Sequence, residues 1–582
     1  MSAICFRLPL IGAGALLLLQ PHASVGQTTG RADDLQAYLA APLNGPAFYR
    51  SSEQARTAIE QERWADAEHI LIPLVREYPL LGTNWGRLGL ALQQQGKHLQ
   101  AVEAYERVLA IQGPGLPFNA RYRIGVCLTA LGETERALDV LQRLVFEDAY
   151  LFRARLAADR NFASLRDHPR FREIASPAAE PTEDRVIGWR RDISYLTEEL
   201  RRTNPNGAVI PQEFIDRGAR LSAAVSTLSD DRIVAELGRM MGSLDRGHTN
   251  LFLGTGGGRL SITPIPLRLW IFPEGVFVTH GYKGQEALAG AQVLRFGRTD
   301  AAEALRLVSS AQSSESPQEN LWLSPDLLTL PALLSGLGIG DSNRSIELTL
   351  RMRDGRTVRR RFEAGEARPR PKLNPPLAVS APLFLRNTAE VHWTEHLPKH
   401  HSLYVQVNNM APDRDETLPQ FGVRLRREID RLRPRNLIID LRHNNGGNSF
   451  TYVELLRTLT AFSAVPGHRV YALIGRNVYS AAGNFSTDME RLVQPIFVGE
   501  PTSQTGNQWG DESFLTLPYS GLQAAFAGLR WQTSHPWDKR RSIVPHVPVQ
   551  LTAADYFAGH DPVLAAVIQL IEDGRRAQPA DK

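Results

Sequence analysis

The chain has 582 residues, which at roughly 150 residues per domain points to several structural units rather than one core. Hydrophobic residues make up 43% and charged residues 22%, with 46 Gly and 37 Pro, a balance that argues against wholesale disorder, collagen or a polytopic membrane protein. The net charge of +4 arises from 66 basic against 62 acidic side chains, too even for the footprint of a nucleic-acid-binding protein.

Residues 1–26 read as a secretory signal. Arg7 charges its start, residues 8–19 are apolar, and Ala23, Ser24 and Gly26 are the small residues a signal peptidase needs. The apolar run is shorter than the roughly 20 residues of a membrane span. The expectation is therefore an exported protein, periplasmic or secreted, with no stable span after cleavage. Of the two cysteines, Cys5 and Cys127, only Cys127 survives that cleavage, so no internal disulfide is expected.

A helical repeat occupies residues 48–150. Ala67 and Ala101 are 34 residues apart, and Leu71 and Tyr105 follow them at the same spacing. Trp85, Leu88, Gly89 and Gly96 fall where the tetratricopeptide pattern expects them, and so does Pro79 at the end of the first unit. A third unit with Gly125, Gly132, Ala137 and Leu141 is displaced by an insertion at residues 113–117. Small residues let paired helices approach while large ones fill the groove. Such repeats dock proteins or peptides, and a protein partner is expected here.

Residues 183–255 are expected to be helical, with amphipathic runs over 186–200 and 233–244. The glycine-rich run 254–258 reads as a flexible connection. Residues 262–366 turn to alternation, with a hairpin predicted over 346–362 around Asp354 and Gly355. The Pro-rich stretch 368–376 reads as a stiff linker. From 388 to 575, apolar strands (403–407, 437–440, 470–474, 496–499) alternate with helical spacing, the pattern of parallel crossovers. Sites in such sheets lie at the carboxyl ends of strands.

Two strand ends carry the chemistry. After the strand at 437–440 the chain reads Leu441, Arg442, His443, Asn444, Asn445, Gly446, Gly447. Paired glycines before a helix let backbone N–H groups face a ligand, as an oxyanion hole requires, and they serve equally as a plain turn. At the next strand end, Ser480 precedes Ala481 and Ala482. A serine there ordinarily caps the helix.

Together with Asp245, His248 and Thr249, Val498 to Glu500, residues 542–549 and residues 560–564, these segments resemble the serine peptidase family of the carboxy-terminal processing (tail-specific) proteases, over residues 183–570. The resemblance implies a multidomain fold: α-helical tetratricopeptide repeats, a helical cap (183–255), a PDZ-like β-rich module (262–366) and a crotonase-like α/β catalytic core (388–575). It implies Ser480 as nucleophile, with the N–H groups of Ala481 and of Gly446 or Gly447 as oxyanion donors. The processing proteases take their base from a lysine, but the matching position holds Thr505, and Lys539 is the one lysine between the serine and the extreme C-terminus. The sequence is closer to the tricorn-like branch, whose base is a histidine of the cap, and His248 stands at that place. Its ordinary pKa of about 6.5 suits proton transfer near neutrality. This chain departs from the branch at Gly247, where serine is usual, and at His546, where the family has aspartate. For the acid that orients His248, Glu500, Asp511, Glu512 and Asp538 remain open.

No Walker A loop, G-x-S-x-G elbow, H-E-x-x-H or Cys/His metal framework is found, so neither cofactor nor metal is expected. The reading is an exported serine peptidase using Ser480 and His248 on a protein or peptide substrate. The alternative is a lapsed relative that binds peptides, apolar ligands or proteins.

Overall fold

The computed structural model describes residues 45–111, 116–147, 155–175, 184–204, 209–253, 259–260, 262–365, 373, 380–413 and 416–576. The expected signal, the glycine-rich run 254–258, residues 113–115 of the repeat insertion and nearly all of the Pro-rich linker lie outside them. The chain divides into two compact units, Met1–Cys127 and Leu128–Lys582.

The first unit is built of helices: α1 (Gly45–Glu60), α2 (Trp64–Glu77), α3 (Gly82–Gln94) and α4 (His98–Ile111), with α5 (Leu116–Ala130) crossing into the second unit. Ala67, Leu71, Ala101 and Tyr105, the residues that set the 34-residue period, are all buried. Gly89 matters through its size, since a Cβ there would fall 2.7 Å from the Tyr105 ring. The Tyr105 hydroxyl then donates to Gln93 Oε1 at 2.9 Å, which satisfies its one buried polar group. In the second unit α6 (Thr134–Glu147) buries Ala137 and Leu141 in the same manner.

The cap consists of α7 (Arg185–Thr203), α8 (Gln212–Ala224) and α9 (Asp230–Gly242), followed by the short strand β1 (Asn250–Phe252). Ser229 caps α9 by accepting from the Arg232 N–H, and Asp230 and Asp231 place negative charge in its first turn. Next comes an antiparallel sheet of β2 (Leu267–Phe272), β3 (Gly275–Gly281), β4 (Gln292–Phe296), β5 (Thr299–Asp300), β6 (Ser345–Arg351) and β7 (Thr357–Glu363). Between β5 and β6 stand three helices that periodicity did not reveal: α10 (Ala301–Ser309), α11 (Pro317–Leu327) and α12 (Pro331–Gly336). The end of α10 and α12 meet the cap at backbone distance. A Cβ on Gly242 would fall 2.5 Å from the Ser310 carbonyl oxygen, and one on Gly336 2.0 Å from that of Asp231. Cap and β-rich module, expected as separate domains, thus share one hydrophobic core that includes Leu237, Met240, Val293, Leu333 and Leu348.

The α/β part has a six-stranded sheet in the order β15-β12-β11-β10-β9-β8. Its strands are β8 (His392–Leu397), β9 (Ser402–Val407), β10 (Asn436–Asp440), β11 (Arg469–Ile474), β12 (Ile496–Gly499) and β15 (Val547–Pro548). All neighbours are parallel except β8, which runs antiparallel to β9. Along β10 the side chains alternate between two cores. Leu437 and Ile439 meet α13 (Leu418–Leu432), α14 (Val453–Ser463) and α15 (Ala481–Leu492), while Ile438 meets α16 (Pro562–Arg576). A strand buried on both faces reads as an unbroken apolar run, which is why the sequence exposes it.

One element crosses the expected boundaries. The hairpin β13 (Trp509–Thr516) and β14 (Gln523–Arg530) leaves the α/β part, and β14 pairs with β1 of the cap, Asn250 opposite Ala525. Leu515, Leu522 and Phe526 enter the cap core. The hairpin therefore brings residues from after Ser480 next to those around His248.

Candidate active site

At the end of β10, Asp440 is fully buried and bound by Arg442 (Nη2 to Oδ2, 2.6 Å), which also grips Asp561 at 2.8 Å, while the Tyr404 hydroxyl donates to Asp440 at 2.6 Å. Burial alone would raise the Asp440 pKa, but Arg442 outweighs it and holds the carboxyl below its ordinary value. This network pins the strand end from which the glycine turn departs.

Gly446 and Gly447 have φ of +110° and +130°, a region that side chains with a Cβ avoid. Gly446 donates its N–H to Asn444 Oδ1 at 3.0 Å, and its carbonyl accepts from Met410. That N–H is committed to the turn itself. The exposed Gly447 N–H has no acceptor among the described residues, so of the two glycines expected as donors the second is the one available.

Ser480 occupies the N-cap position of α15 with φ +55° and ψ −128°, and its side chain makes no cap hydrogen bond. The ordinary role of a helix-start serine is therefore not filled here. Its hydroxyl makes no hydrogen bond to the described residues, and the residue is half-buried. A non-glycine residue in such a conformation costs of order 1–3 kcal/mol and is held there by its surroundings. The holding groups are two glutamines: Gln504 Oε1 accepts the Ser480 N–H at 2.9 Å, and Gln508 Nε2 donates to the Ser480 carbonyl at 2.7 Å. The next N–H, of Ala481, opens the helix and has no acceptor among the described residues.

His248 arrives from the cap beside this turn. Its ring stacks on Tyr479, the neighbour of Ser480, at a centroid distance of 4.4 Å, and its backbone N–H donates to the Tyr479 hydroxyl at 2.6 Å. The imidazole is enclosed, with 5% of its side chain exposed, and Nε2 lies 3.9 Å from Glu512 Oε2 on β13. Asp511 is adjacent but accepts from the Trp531 indole at 2.9 Å, and burial holds its carboxyl above the ordinary range. Two of the candidate acids are paired with arginines. Glu500 forms a two-pronged pair with Arg476 at 3.0 Å, and Asp538 pairs with Arg540 at 2.8 Å. Glu512 is the carboxylate beside His248.

The positions where this chain departs from the pattern it resembles make local contacts. A Cβ on Gly247 would fall 2.2 Å from Gln504 Nε2, so the glutamine occupies the space a serine would need. Thr505 is buried and donates to the Arg540 carbonyl at 3.2 Å, and Lys539 is exposed. His546 accepts the Phe497 N–H at 3.0 Å through Nδ1, at the edge of β12.

Sequence reasoning missed the support beneath these residues. Glu315, from the loop between α10 and α11, accepts from the Trp509 N–H (2.7 Å), the Gly247 N–H (3.3 Å) and Gln504 Nε2 (3.3 Å). Burial pushes its carboxyl up to about 7 despite these donors. No motif marks Glu315 or Gln504, since their partners lie 68 and 24 residues away in sequence.

Residues 52–117 and 87–152 match the tetratricopeptide repeat family. No curated protein matches the chain. Among solved structures, mature CPAF complexed with lactacystin is similar at 12% identity, covering 67% of this chain and 99% of that one, with a TM-score of 0.46. The photosystem II D1 C-terminal processing protease is similar at 14% identity over 64% of this chain and 98% of that one, TM-score 0.32. The tricorn protease is similar at 14% identity over 66% and 37%, TM-score 0.30.

Proposed function

We propose that the protein is an exported serine peptidase in which Ser480 is the nucleophile and His248 the general base. The observation that carries this reading is the Ser480 turn: a hydroxyl outside any helix cap, on a strained backbone, flanked by the open N–H groups of Ala481 and Gly447. In the reaction Ser480 Oγ attacks the peptide carbonyl while its proton passes to His248. The resulting oxyanion lies between the two N–H groups, where fixed dipoles need no reorganisation. Collapse expels the amine, which takes the proton from His248, and water then hydrolyses the acyl ester by the same route. Glu512 orients the imidazole and stabilises its charged form. The core is read as crotonase-like, the β-rich module as PDZ-like, and the repeats as the dock for a protein partner.

A second reading, a lapsed relative that binds peptides, apolar ligands or proteins, is favoured by one observation. Glu512 Oε2 stands 3.9 Å from His248 Nε2, beyond hydrogen-bonding distance.

The signal-free protein is to be tested on unfolded proteins and a mixed peptide library, and with a fluorophosphonate that acylates activated serines, beside Ser480→Ala and His248→Ala variants checked for folding. Cleavage and labelling are expected in the parent, with losses of about 10⁴- to 10⁶-fold in either variant. Cleavage unchanged by Ser480→Ala removes the nucleophile. No reaction in any form moves the weight to the binding reading.

A further inference from the structure

One carboxylate joins the three segments that build the site. Glu315 Oε1 takes the N–H of Gly247, next to His248, and that of Trp509, three residues before Glu512. Its Oε2 takes Gln504 Nε2, and Gln504 Oε1 in turn takes the Ser480 N–H. The Glu315 loop is itself held firmly. The Glu315 N–H donates to Glu319 Oε2 at 2.8 Å, and Ser316 Oγ donates to the Ser503 carbonyl at 2.7 Å.

We infer that Glu315 is a positioning residue, and that its ionised form fixes the nucleophile turn by dictating which way round the Gln504 amide stands. The argument is one of hydrogen-bond polarity. A carboxylate is an acceptor only, so together with the Trp509 carbonyl, which accepts from the same Nε2 at 3.4 Å, it selects the Nε2 end of Gln504 and leaves Oε1 for the Ser480 N–H. A proton on Oε2 meets a donor. Turning the Gln504 amide to relieve that conflict sets its NH₂ group against the Ser480 N–H, donor against donor. A proton on Oε1 displaces one of two backbone N–H groups, which cannot reverse. Every protonated form therefore loosens the Ser480 turn, the Gly247 loop or the start of β13, and an unmet buried donor costs about 1–3 kcal/mol.

The charged and titratable groups around Glu315 are Glu319 on α11, Tyr479 before the nucleophile and Arg530 on β14, with Arg246, His248, Asp511 and Glu512 on the segments it holds. Its carboxyl is pushed up to about 7 by burial, so its charge changes around neutrality. Because Glu315 belongs to the inserted β-rich module, the integrity of that module is written directly into the Ser480 backbone.

The inference rests on the proposed role of Ser480, but its test has an arm that needs no activity. Hydrogen exchange of the Ser480 amide is measured in the parent, in Glu315→Gln and in Glu315→Gln combined with Gln504→Glu. The single variant keeps the size of the side chain but presents a donor to Gln504, while the double variant reverses the polarity of the link and restores an acceptor for the Ser480 N–H. We expect at least tenfold loss of protection in the single variant and recovery in the double. The fluorophosphonate rate is expected to fall about tenfold and recover in parallel, and its rise through about pH 7 is expected to lose the Glu315 component in the single variant. Unchanged protection in Glu315→Gln overturns the proposal. So does a loss that the double variant does not repair, since that marks ordinary packing. If no form reacts with the fluorophosphonate, the peptidase reading falls while the exchange data still decide the role of Glu315.

Discussion

Gly446 lies so close to Ser480 that a Cβ built on it would stand 2.5 Å from the Ser480 Cβ. The same Cβ would meet the Tyr479 carbonyl oxygen at 2.9 Å and the Ala481 nitrogen at 3.1 Å, and these atoms are backbone and cannot swing aside. Gly446→Ala is therefore expected to destabilise the protein by about 1–3 kcal/mol, because φ of +110° adds strain to the contact. It is also expected to abolish labelling of Ser480, as the turn must open to admit the methyl group. A denaturant midpoint and a labelling rate both equal to those of the parent would refute the packing argument.

Glu512 and Asp538 separate the two ends of the acid question. Glu512→Gln keeps the side-chain shape but removes the charge facing His248 at 3.9 Å, and a loss of about 10²-fold or more in kcat is expected, with KM little changed. Asp538→Asn breaks a partly exposed pair with Arg540 and is expected to leave kcat within about threefold. Steady-state kinetics on one peptide distinguish them, and the reverse order of effects would move the orienting role to Asp538.

Acid unfolding is expected to report Asp440. Its pKa is lowered in the folded protein, so the folded state binds its proton less tightly than the unfolded chain does. The stabilisation is complete above the ordinary value of 3.8 and disappears as pH falls below it. Asp440→Asn leaves Arg442 buried with one carboxylate instead of two, an expected loss of about 3 kcal/mol at pH 7. Urea unfolding of both forms at pH 7 and pH 3 checks this: the difference between them is expected to shrink at the lower pH.

Glu315 has the opposite sign. Its carboxyl titrates near 7 instead of 4.5, so the folded state binds the proton more tightly and the Glu315 contribution to stability declines as pH rises from about 4.5 to about 7. Glu315→Gln is expected to remove that component of the slope while lowering the reaction rate at pH 8. A residue that weakens the fold in the same charge state that favours reaction is serving the site rather than the core. Denaturant midpoints at pH 5, 6, 7 and 8 test the slope, and equal slopes in the two proteins would refute it.

Periodicity exposed the elements whose burial follows from their own residues. The repeat period of 34 carried by Ala67 and Ala101 is visible because each helix pair buries the same positions. The strand Asn436–Asp440 is visible because both its faces are covered. The amphipathic helices Arg185–Thr203 and Leu418–Leu432 show their apolar stripes for the same reason. The helices Pro317–Leu327 and Pro331–Gly336 were not legible, since they are short and sit in a segment otherwise patterned as strand. The hairpin at residues 509–530 escaped too, because its partner strand lies more than 250 residues earlier in sequence.

The candidate site divides along the same line. Ser480, Ala481, Gly446, Gly447 and His248 were expected from a resemblance carried by local segments: a serine at a strand-to-helix turn, a pair of glycines and a histidine in the Asp-x-x-His-Thr setting. Which glycine N–H remains open was decided by Asn444, whose side chain claims that of Gly446. Which acid faces His248 was decided by the pairing of β14 with β1, which carries Glu512 across to the cap and leaves Glu500 and Asp538 to their arginines. Glu315 and Gln504 became visible only in three dimensions. A hydrogen bond is set by where a donor and an acceptor meet, and nothing in a residue's neighbours along the chain records a partner brought to it by the fold.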